Sequence, residues 1–415
     1  MQHLNTKSTS SVANIDLIKQ VNCASIYKVI EKHAPISRVK IAKVSNLAPA
    51  SVTKITRYLL ENGIITETER QASTGGRCAI SLAPNSDKIF VIAVKIGRKL
   101  LSLSSYNLAG QKSVDKRINI ENRDGEQLIK RLHNEIQTLL DDEKEQGNKI
   151  SAISVTLSGL INPQEGRVIY TAFNKLNDIA LVDILEKAFN IPTFIGNHTR
   201  ALALAEHYFG ATQQNQDSIV ISIHHGVGSG IIVKGKELLG ANCNIGEIGH
   251  IQVNSEGKKC HCGNFGCLET EVSDTVIVEK IKEAIAKGVT SPFDSKTVNI
   301  ENIYQAAANG DPLCEKIVAQ AAGYLGKTIA ILVNMLNPEK IVIAGKITAA
   351  QNTLFNAIQQ CIVHQSLPEF QNRVKICSSE LQANSTIASF ALIKQAIYEG
   401  DLLQKMSSNL QNSGE

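Results

Sequence analysis

The chain has 415 residues, of which 43% are hydrophobic and 20% charged, with 8 Tyr, 10 Phe and no Trp; one core of ordinary size does not serve that length, so two or three aliphatic-packed domains are expected. No run approaches 18 apolar residues, and residues 1–12 are polar and rich in Ser and Thr, which argues against a membrane span or a secretory leader and for a cytoplasmic protein. The net charge of +4 is uneven: residues 1–84 hold 11 Lys/Arg against 5 Asp/Glu, the remainder 32 against 34, so the basic charge belongs to an N-terminal segment, where it suits phosphate contact or a merely solvated face.

Three helical patterns come first. An apolar stripe of Ile15, Ile18, Ala24, Ile26, Val29 and Ile30 predicts a helix over Asn14–Lys32, closed by Pro35. Ser37 caps a second, Arg38–Val44, and Asn46-Leu47-Ala48-Pro49 turns the chain. A third, Ala50–Glu61, points Val52, Ile55, Leu59 and Leu60 inward and Ser51, Thr53, Lys54, Thr56 and Arg57 outward, and ends at Asn62-Gly63. Two strands, Ile64–Thr68 and Cys78–Leu82, flank a basic loop, Gln71 to Arg77, whose Gly75 and Gly76 permit a tight hairpin. Helix, turn, helix and wing give a winged helix-turn-helix over residues 1–84. Its candidate DNA contacts are Arg38, Ser51, Thr53, Lys54, Thr56 and Arg57 for the major groove, and Gly75, Gly76 and Arg77 on the wing. The same fold also serves protein contacts.

After Pro84 strands and helices alternate. Strands are expected at Ile89–Ile96, Leu100–Leu108, Lys116–Ile120 and Ile150–Leu157, with a helix at Gly125–Glu145. A helix Leu181–Phe189, a strand Thr193–Ile195 and a helix Thr199–Phe209 precede a hairpin of Ser218–His224 and Gly230–Val233. The last third reads as helices Ile277–Lys287, Asn302–Ala308 and Pro312–Leu336, a strand Ile341–Ala344, then helix, strand, and a helix to Tyr398. A meander followed by β-α order, twice over, predicts a duplicated α/β unit, divided at 85–198 and 199–415, with a ligand-sized cleft between the halves.

Nine cysteines in such a chain do not suggest a disulfide framework. Cys23, Cys78, Cys314, Cys361 and Cys377 sit in or beside apolar stretches and are expected to be buried; Cys243 is ambiguous. His250, Cys260, Cys262 and Cys267 have the spacing H-x9-C-x-C-x4-C, four ligands that close a tetrahedral zinc site and leave no open position, so one structural Zn2+ per chain is expected. Free thiols, or a strained Cys260–Cys262 disulfide, are the alternatives. His261, between the ligands, is not expected to be a fifth.

Across nearly its whole length the sequence resembles the ROK family of repressors and sugar kinases. The motifs that carry the resemblance are Glu247-Ile248-Gly249-His250, the run Cys260 to Glu269, Leu47 to Arg57, Gln71 to Arg77, and Leu202 to Ala211. The resemblance implies an actin-like, ribonuclease-H-like body and a sugar site made of Gly159, Asn197, His198, Glu247, His250 and Glu269. It also implies that kinase chemistry is lost. Kinase members carry D-x-G-G-T where this chain has Lys95-Ile96-Gly97-Arg98-Lys99, and Asn-Asp where it has Asn197-His198. His225 stands where a small or hydroxylated residue is usual, although Gly226, Gly228 and Gly230 remain. Asn337 to Gly345 resembles the segment on the adenosine side, but a strand ending in a glycine turn reads equally well.

No catalytic residue is therefore assigned. Similarity to members that repress amino-sugar genes implies a homodimeric or tetrameric repressor, released from operator DNA by a sugar phosphate such as N-acetylglucosamine 6-phosphate, with Lys95, Arg98 and Lys99 beside the vacated phosphate region. The alternatives are a repressor of sugar phosphotransfer genes released by a membrane glucose transporter, and a sugar kinase with an unusual base.

Overall fold

A computed structural model of the chain describes residues 15–68, 80–87, 89–120, 124–240, 243–381 and 385–405. The N-terminal part consists of α1 (Ile15–His33), β1 (Ile36–Ser37), α2 (Arg38–Ser45), α3 (Pro49–Glu61), β2 (Ile65–Thr68) and β3 (Ser81–Pro84). The Ser37 hydroxyl accepts from Lys40 N and starts α2, and Asn46, in the left-handed region at φ 56°, ends it. The three short strands pair in the order β1-β3-β2, all antiparallel. Strand β1 has no counterpart in the sequence expectations, and the third strand is displaced toward Pro84 from the expected 78–82. The wing residues Gly75, Gly76 and Arg77, like Cys78, lie outside the described residues.

The first half of the body contains β4 (Ile89–Ile96), β5 (Leu100–Asn107), β6 (Lys112–Asn119), α4 (Gly125–Glu145), β7 (Lys149–Leu157), β8 (Leu160–Asn162), β9 (Arg167–Tyr170), α5 (Leu181–Phe189), β10 (Thr193–Asn197) and α6 (His198–Phe209). The second half contains β11 (Ser218–Ile223), β12 (Val227–Val233), β13 (Lys236–Glu237), α7 (Glu269–Val272), α8 (Asp274–Ala286), α9 (Ile300–Ala308), α10 (Pro312–Leu336), β14 (Lys340–Ala344), α11 (Gln351–Gln365), α12 (Pro368–Gln371) and β15 (Lys375–Ser378). Helix α13 (Ile387–Glu399) completes the chain order. The expected elements of the body appear in order, with β13, α7, α12 and the hairpin β8–β9 added; that hairpin occupies what the sequence suggested was only a loop.

The two large sheets have the same topology. One runs β10-β7-β4-β5-β6, the other β13-β12-β11-β14-β15. In each, the first three strands form an antiparallel meander and the next two add in parallel beside the first. Their central strands are buried on both faces, which is why they read as continuous apolar runs. The period-2 alternation sends side chains to different cores. On β4, Ile92, Val94 and Ile96 join α4 and α5, while Ile89, Val91 and Ala93 join α13 and the N-terminal helices. On β11 and β14, Ile219, Ile221, Ile341 and Ile343 face α8 to α11, while Val220, Val342 and Ala344 face α6 and α13. Helix α10, apolar enough by composition to cross a membrane, instead packs against α8, α9 and α11.

Helix α13 ties the parts together. It comes after the second half in sequence yet packs on β4, β7 and β10 of the first sheet, on α6 and on α1. Cys23, Tyr27, Ile41, Val52 and Leu59 share one cluster with Val91, Phe390, Ile393, Leu402 and Leu403, so the N-terminal helices and the body are not packed as separate cores. Cys23 and Cys314 are buried as expected, and Cys243, which the sequence left open, is buried too; Cys361 and Cys377 are only half-buried, because α11 and the edge strand β15 leave one side open.

Candidate functional site

Two regions gather the residues singled out in the sequence. The first is the outer face of α3. Thr53, Lys54 and Arg57 are exposed and Ser51 half-exposed, so a row of hydroxyls and cations faces solvent. Thr56 does not join it. It is fully buried, accepting from Arg38 Nε at 3.1 Å and donating to Thr53 O at 3.3 Å, because one residue beyond Ile55 the helix still faces α2. The expectation that Thr56 points outward is corrected. Arg38, whose guanidinium also reaches Glu67 at 3.4 Å, is held between α2, α3 and β2.

The second region is the cleft between the halves of the body. Asn197 ends β10 and caps α6: its Oδ1 accepts from Thr199 N at 2.8 Å and Arg200 N at 3.3 Å, while its Nδ2 donates to Gly159 O at 2.9 Å. Gly159 has φ 140°, and a Cβ there would lie 2.1 Å from Tyr170 O, so the loop beside Asn197 closes only without a side chain. Arg200, one turn along α6, bonds Glu237 at 2.7 Å and the Cys243 carbonyl. Both side chains of that pair are buried.

Opposite stands a loop built around sulfur. A bridge between Gln252 and Cys267, the bond Cys260 N to Asn264 O at 2.7 Å, and the bond Val253 N to Gly266 O at 2.8 Å fold residues 250–267 back on themselves. Gly266, at φ 62°, lies so near Asn254 O that a Cβ would sit 1.6 Å from it. The donor atoms of His250, Cys260, Cys262 and Cys267 all fall within 4.8 Å of one another. Cys262 Sγ and Cys267 Sγ are 3.8 Å apart, and Cys260 Sγ is 3.7 Å from His250 Nδ1. A tetrahedron with sulfurs about 2.3 Å from its centre has edges near 3.8 Å, so the spacing fits a metal ion. Burial, and then the two neighbouring cysteines, push the Cys267 thiol up to about 12. A second group, Cys260, His261 and Glu269, also offers its atoms together, but His261 Nδ1 is engaged by Glu269 Oε1 at 3.0 Å.

This loop delivers the carboxylates. Glu269 opens α7 two residues after Cys267, and its other oxygen accepts from Val227 N at 3.2 Å. Glu247 precedes the short turn that carries His250. Burial raises the Glu247 carboxyl above its ordinary value; Glu269 adds to this, and His250 and Arg200 oppose it. Glu247 thus feels the charges of His250, Glu269 and Arg200 together.

The floor of the cleft carries lysines and imidazoles, and burial keeps the imidazoles of His198 and His224 uncharged. His198 is buried and lies 3.5 Å from Thr156 Oγ1, which bonds Ser389 of α13 at 2.7 Å. Burial holds the His198 imidazole far below its usual range, and Lys95 and His224 reinforce this. Burial lowers Lys95 to about 8. His224 falls to about 4 through burial, then Lys95, Lys346 and His225. Lys346 and His224 were not singled out, although their signals were present: a His-His pair ahead of a glycine run, and a Lys directly after Gly345. Asp274 lies 4.0 Å from His224 Nδ1 and accepts from Tyr304 at 2.9 Å; burial raises it to about 6, against the pull of that hydrogen bond and of Lys346. Behind Asn197 and Arg200 is a separate cavity of about 570 Å³, lined by β10, α6 and α13 but by none of Glu247, His250 or Glu269.

The model of the ROK family matches residues 91–396. The chain is 42% identical over 400 residues, 96% of this chain and 98% of the relative, to the DNA-binding transcriptional dual regulator NagC of Escherichia coli strain K12. It is 31% identical over 395 residues, 95% and 97% of the two chains, to the DNA-binding transcriptional repressor Mlc of the same strain. Among solved structures, a ROK family transcriptional regulator described as a homolog of the E. coli MLC protein superimposes with a TM-score of 0.88 at 41% identity, covering 94% of this chain and 99% of the other. A ROK family glucokinase from Streptomyces griseus, solved with glucose and AMPPNP, shares the body's fold with a TM-score of 0.63 at 21% identity, covering 74% and 99%.

Proposed function

This chain belongs to the ROK family, and we propose that it is a DNA-binding transcriptional repressor of amino-sugar uptake and metabolism genes whose inducer is a sugar phosphate, N-acetylglucosamine 6-phosphate. The observation that carries this reading is the cleft, which keeps carboxylates suited to sugar hydroxyls yet presents a lysine and a neutral imidazole at the positions of the kinase acids. Glu247 feels the charges of His250 and Glu269, and Asn197 donates to Gly159 O, which supports one sugar site made of these residues. Lys95 and the buried His198 occupy the two kinase positions. An imidazole held neutral and enclosed hydrogen-bonds a ligand but is a poor replacement for a carboxylate base that takes a hydroxyl proton. The reading is therefore of a sensor without catalytic activity.

Residues 1–84 serve as the DNA-binding part, with Thr53, Lys54 and Arg57 of α3 entering the major groove and Gly75, Gly76 and Arg77 adding contacts on the wing. Residues 85–198 and 199–415 supply the two halves of the sensor. His250, Cys260, Cys262 and Cys267 would hold one structural zinc ion, which supplies a rigid cross-link rather than reactivity. The protein works in the cytoplasm as a dimer or tetramer, since paired half-sites require paired recognition helices. Gel shifts of operator DNA, titrated with a panel of sugar phosphates, test the reading. Release by N-acetylglucosamine 6-phosphate is expected. Release by none of the panel would overturn the inducer and favour release by a protein partner such as a membrane transporter.

A further inference from the structure

Helix α13 lies between the two regions that gather the candidate residues, and a role for it in carrying one to the other rests on the sugar-phosphate reading and deepens it. In its first turn Ser389 is fully buried, as is Thr156 on β7. The two hydroxyls are 2.7 Å apart, Thr156 Oγ1 lies 3.5 Å from His198 Nδ1, and Ser389 donates to Val94 O at 2.7 Å. Lys394 and Tyr398, about 8 and 14 Å further along the helix axis, hold the two carboxylate oxygens of Glu31 on α1. Past the end of the helix, Asp401 accepts from Gln20 of α1, and the Leu403 carbonyl accepts from Tyr58 of α3. One element thus reaches the His198 imidazole through Thr156 at its start, and at its end holds the helices that present Lys54 and Arg57.

The hydrogen bonds at the start of α13 run in one direction. Ser389 gives its single proton to Val94 O, so the proton between the two hydroxyls belongs to Thr156, which can then only accept from His198. Nδ1 therefore carries the proton of the uncharged ring, and Nε2 keeps its lone pair. A ligand that donates to Nε2 leaves this order in place. A ligand that accepts from it requires the other tautomer: Thr156 turns to donate to His198, and Ser389 either releases Val94 O or faces Thr156 with no proton between them. Both hydroxyls are enclosed, so losing either bond is costly. We propose that a sugar ligand bound at His198 acts on the DNA-reading helices through α13, with Thr156 and Ser389 as the input contact and Glu31, Lys394 and Tyr398 as the output. Thr156 and Ser389 are positioning residues that act through the imidazole, and ligand and operator favour different placements of one helix.

Operator affinity of the full chain, measured by fluorescence anisotropy without and with saturating N-acetylglucosamine 6-phosphate, tests this, because the ratio of the two affinities is the coupling itself. The wild-type ratio should be about tenfold or more. Thr156→Val keeps the shape of the side chain without its hydroxyl, and Lys394→Met takes the ammonium from Glu31; each should lower the ratio to about twofold or less. Thr156→Ser, which keeps the hydroxyl, should retain the wild-type ratio. The ratio compares two states of one preparation, so a partly inactive sample does not imitate its loss. A wild-type ratio in either Thr156→Val or Lys394→Met, a lost ratio in Thr156→Ser, or loss of ligand-free operator binding in any of the three overturns the role of α13 and leaves the sugar-phosphate reading standing. A wild type whose operator affinity the sugar phosphate does not change overturns the two together.

Discussion

Lys394 places its ammonium 2.6 Å from one carboxylate oxygen of Glu31, and Tyr398 donates a hydrogen bond to the other. The pair joins α13 to α1 across 363 positions of sequence, with both charged side chains largely enclosed. Gln20 continues the seam, donating to Glu399 O at 3.1 Å and to Asp401 at 2.5 Å, and Tyr58 of α3 donates to Leu403 O at 2.5 Å. Replacing Glu31 by Ala leaves Lys394 and Tyr398 without their acceptor, at a cost of about 1–3 kcal/mol. Urea unfolding should show this loss while sugar affinity is unchanged, since Glu31 lies on α1 and not in the cleft. Equal stability of variant and wild type would mean the seam does not hold the N-terminal helices.

Lys54 and Arg57 stand exposed on α3, whereas Thr56 beside them is buried. Lys54→Ala and Arg57→Ala should each weaken operator binding and lower the slope of log affinity against log salt by about 1, as the loss of one phosphate contact does. Thr56→Ala should instead cost about 1 kcal/mol of stability, through the lost Arg38 bond, and leave the salt slope alone. Fluorescence anisotropy at several salt concentrations separates the two kinds of effect.

On the proposed reading the sulfur loop holds a zinc ion and positions Glu269 and His250 for a sugar, so metal binding and sugar binding should fail together. Elemental analysis of the purified chain should find one zinc per chain. Cys262→Ser, whose thiol is exposed, should lower metal content and weaken sugar-phosphate binding by about 10- to 100-fold, the usual effect of disturbing what orients a ligating group. Normal zinc content in that variant would remove Cys262 from the ligand set.

Gly159 tests the loop beside Asn197. Alanine at φ 140°, with its methyl pressed on Tyr170 O, should destabilise the chain by about 1–3 kcal/mol and open the Asn197–Gly159 bond. A thermal melt with and without the sugar phosphate reads both losses; a variant that melts and binds like the wild type would show that the loop tolerates a side chain.

His224 predicts an acid response. An imidazole held at about 4 when folded and near 6.5 when unfolded binds fewer protons in the native chain. Its contribution is intact above about 6.5 and is lost as pH falls toward 4, by at most about 3 kcal/mol. Asp274, raised to about 6, acts in the opposite sense: the folded chain holds its proton more tightly, so its contribution fades as pH rises through 6. Because Asp274 lies 4.0 Å from His224, a double-mutant cycle of His224→Asn and Asp274→Asn separates the two, and the His224 part of the difference should deepen from pH 6.5 to pH 4. A flat difference would place His224 in an environment open to water.

Periodicity made most elements legible, because strands such as β4 and β11 are buried on both faces and helices such as α4 carry a regular apolar stripe. The metal loop was legible because ligand spacing is local. What escaped the sequence depended on meetings between distant segments. Thr56 looked like its exposed neighbours until Arg38 was brought across from α2. Strand β1, two residues long, exists only because β3 lies beside it. Lys346 and His224 carry local signals in sequence, a Lys after Gly345 and a His-His pair, but lie over a hundred positions apart and are brought together only when the second sheet folds. The attachment of α13 to α1 could not be read at all, since nothing in Lys394 or Glu31 names its partner.

Because Phe390, Leu402 and Leu403 lie in the same core as Ile41, Val52 and Leu59, synthesis imposes an order on this protein. The reading helices leave the ribosome first, but part of the core they rest on is made last, on the order of tens of seconds later at ordinary elongation rates. During that interval the nascent chain holds a recognition surface without its support. A fragment cut before residue 390 keeps its DNA-facing side chains yet loses the packing that presents them, so operator occupancy counts finished molecules.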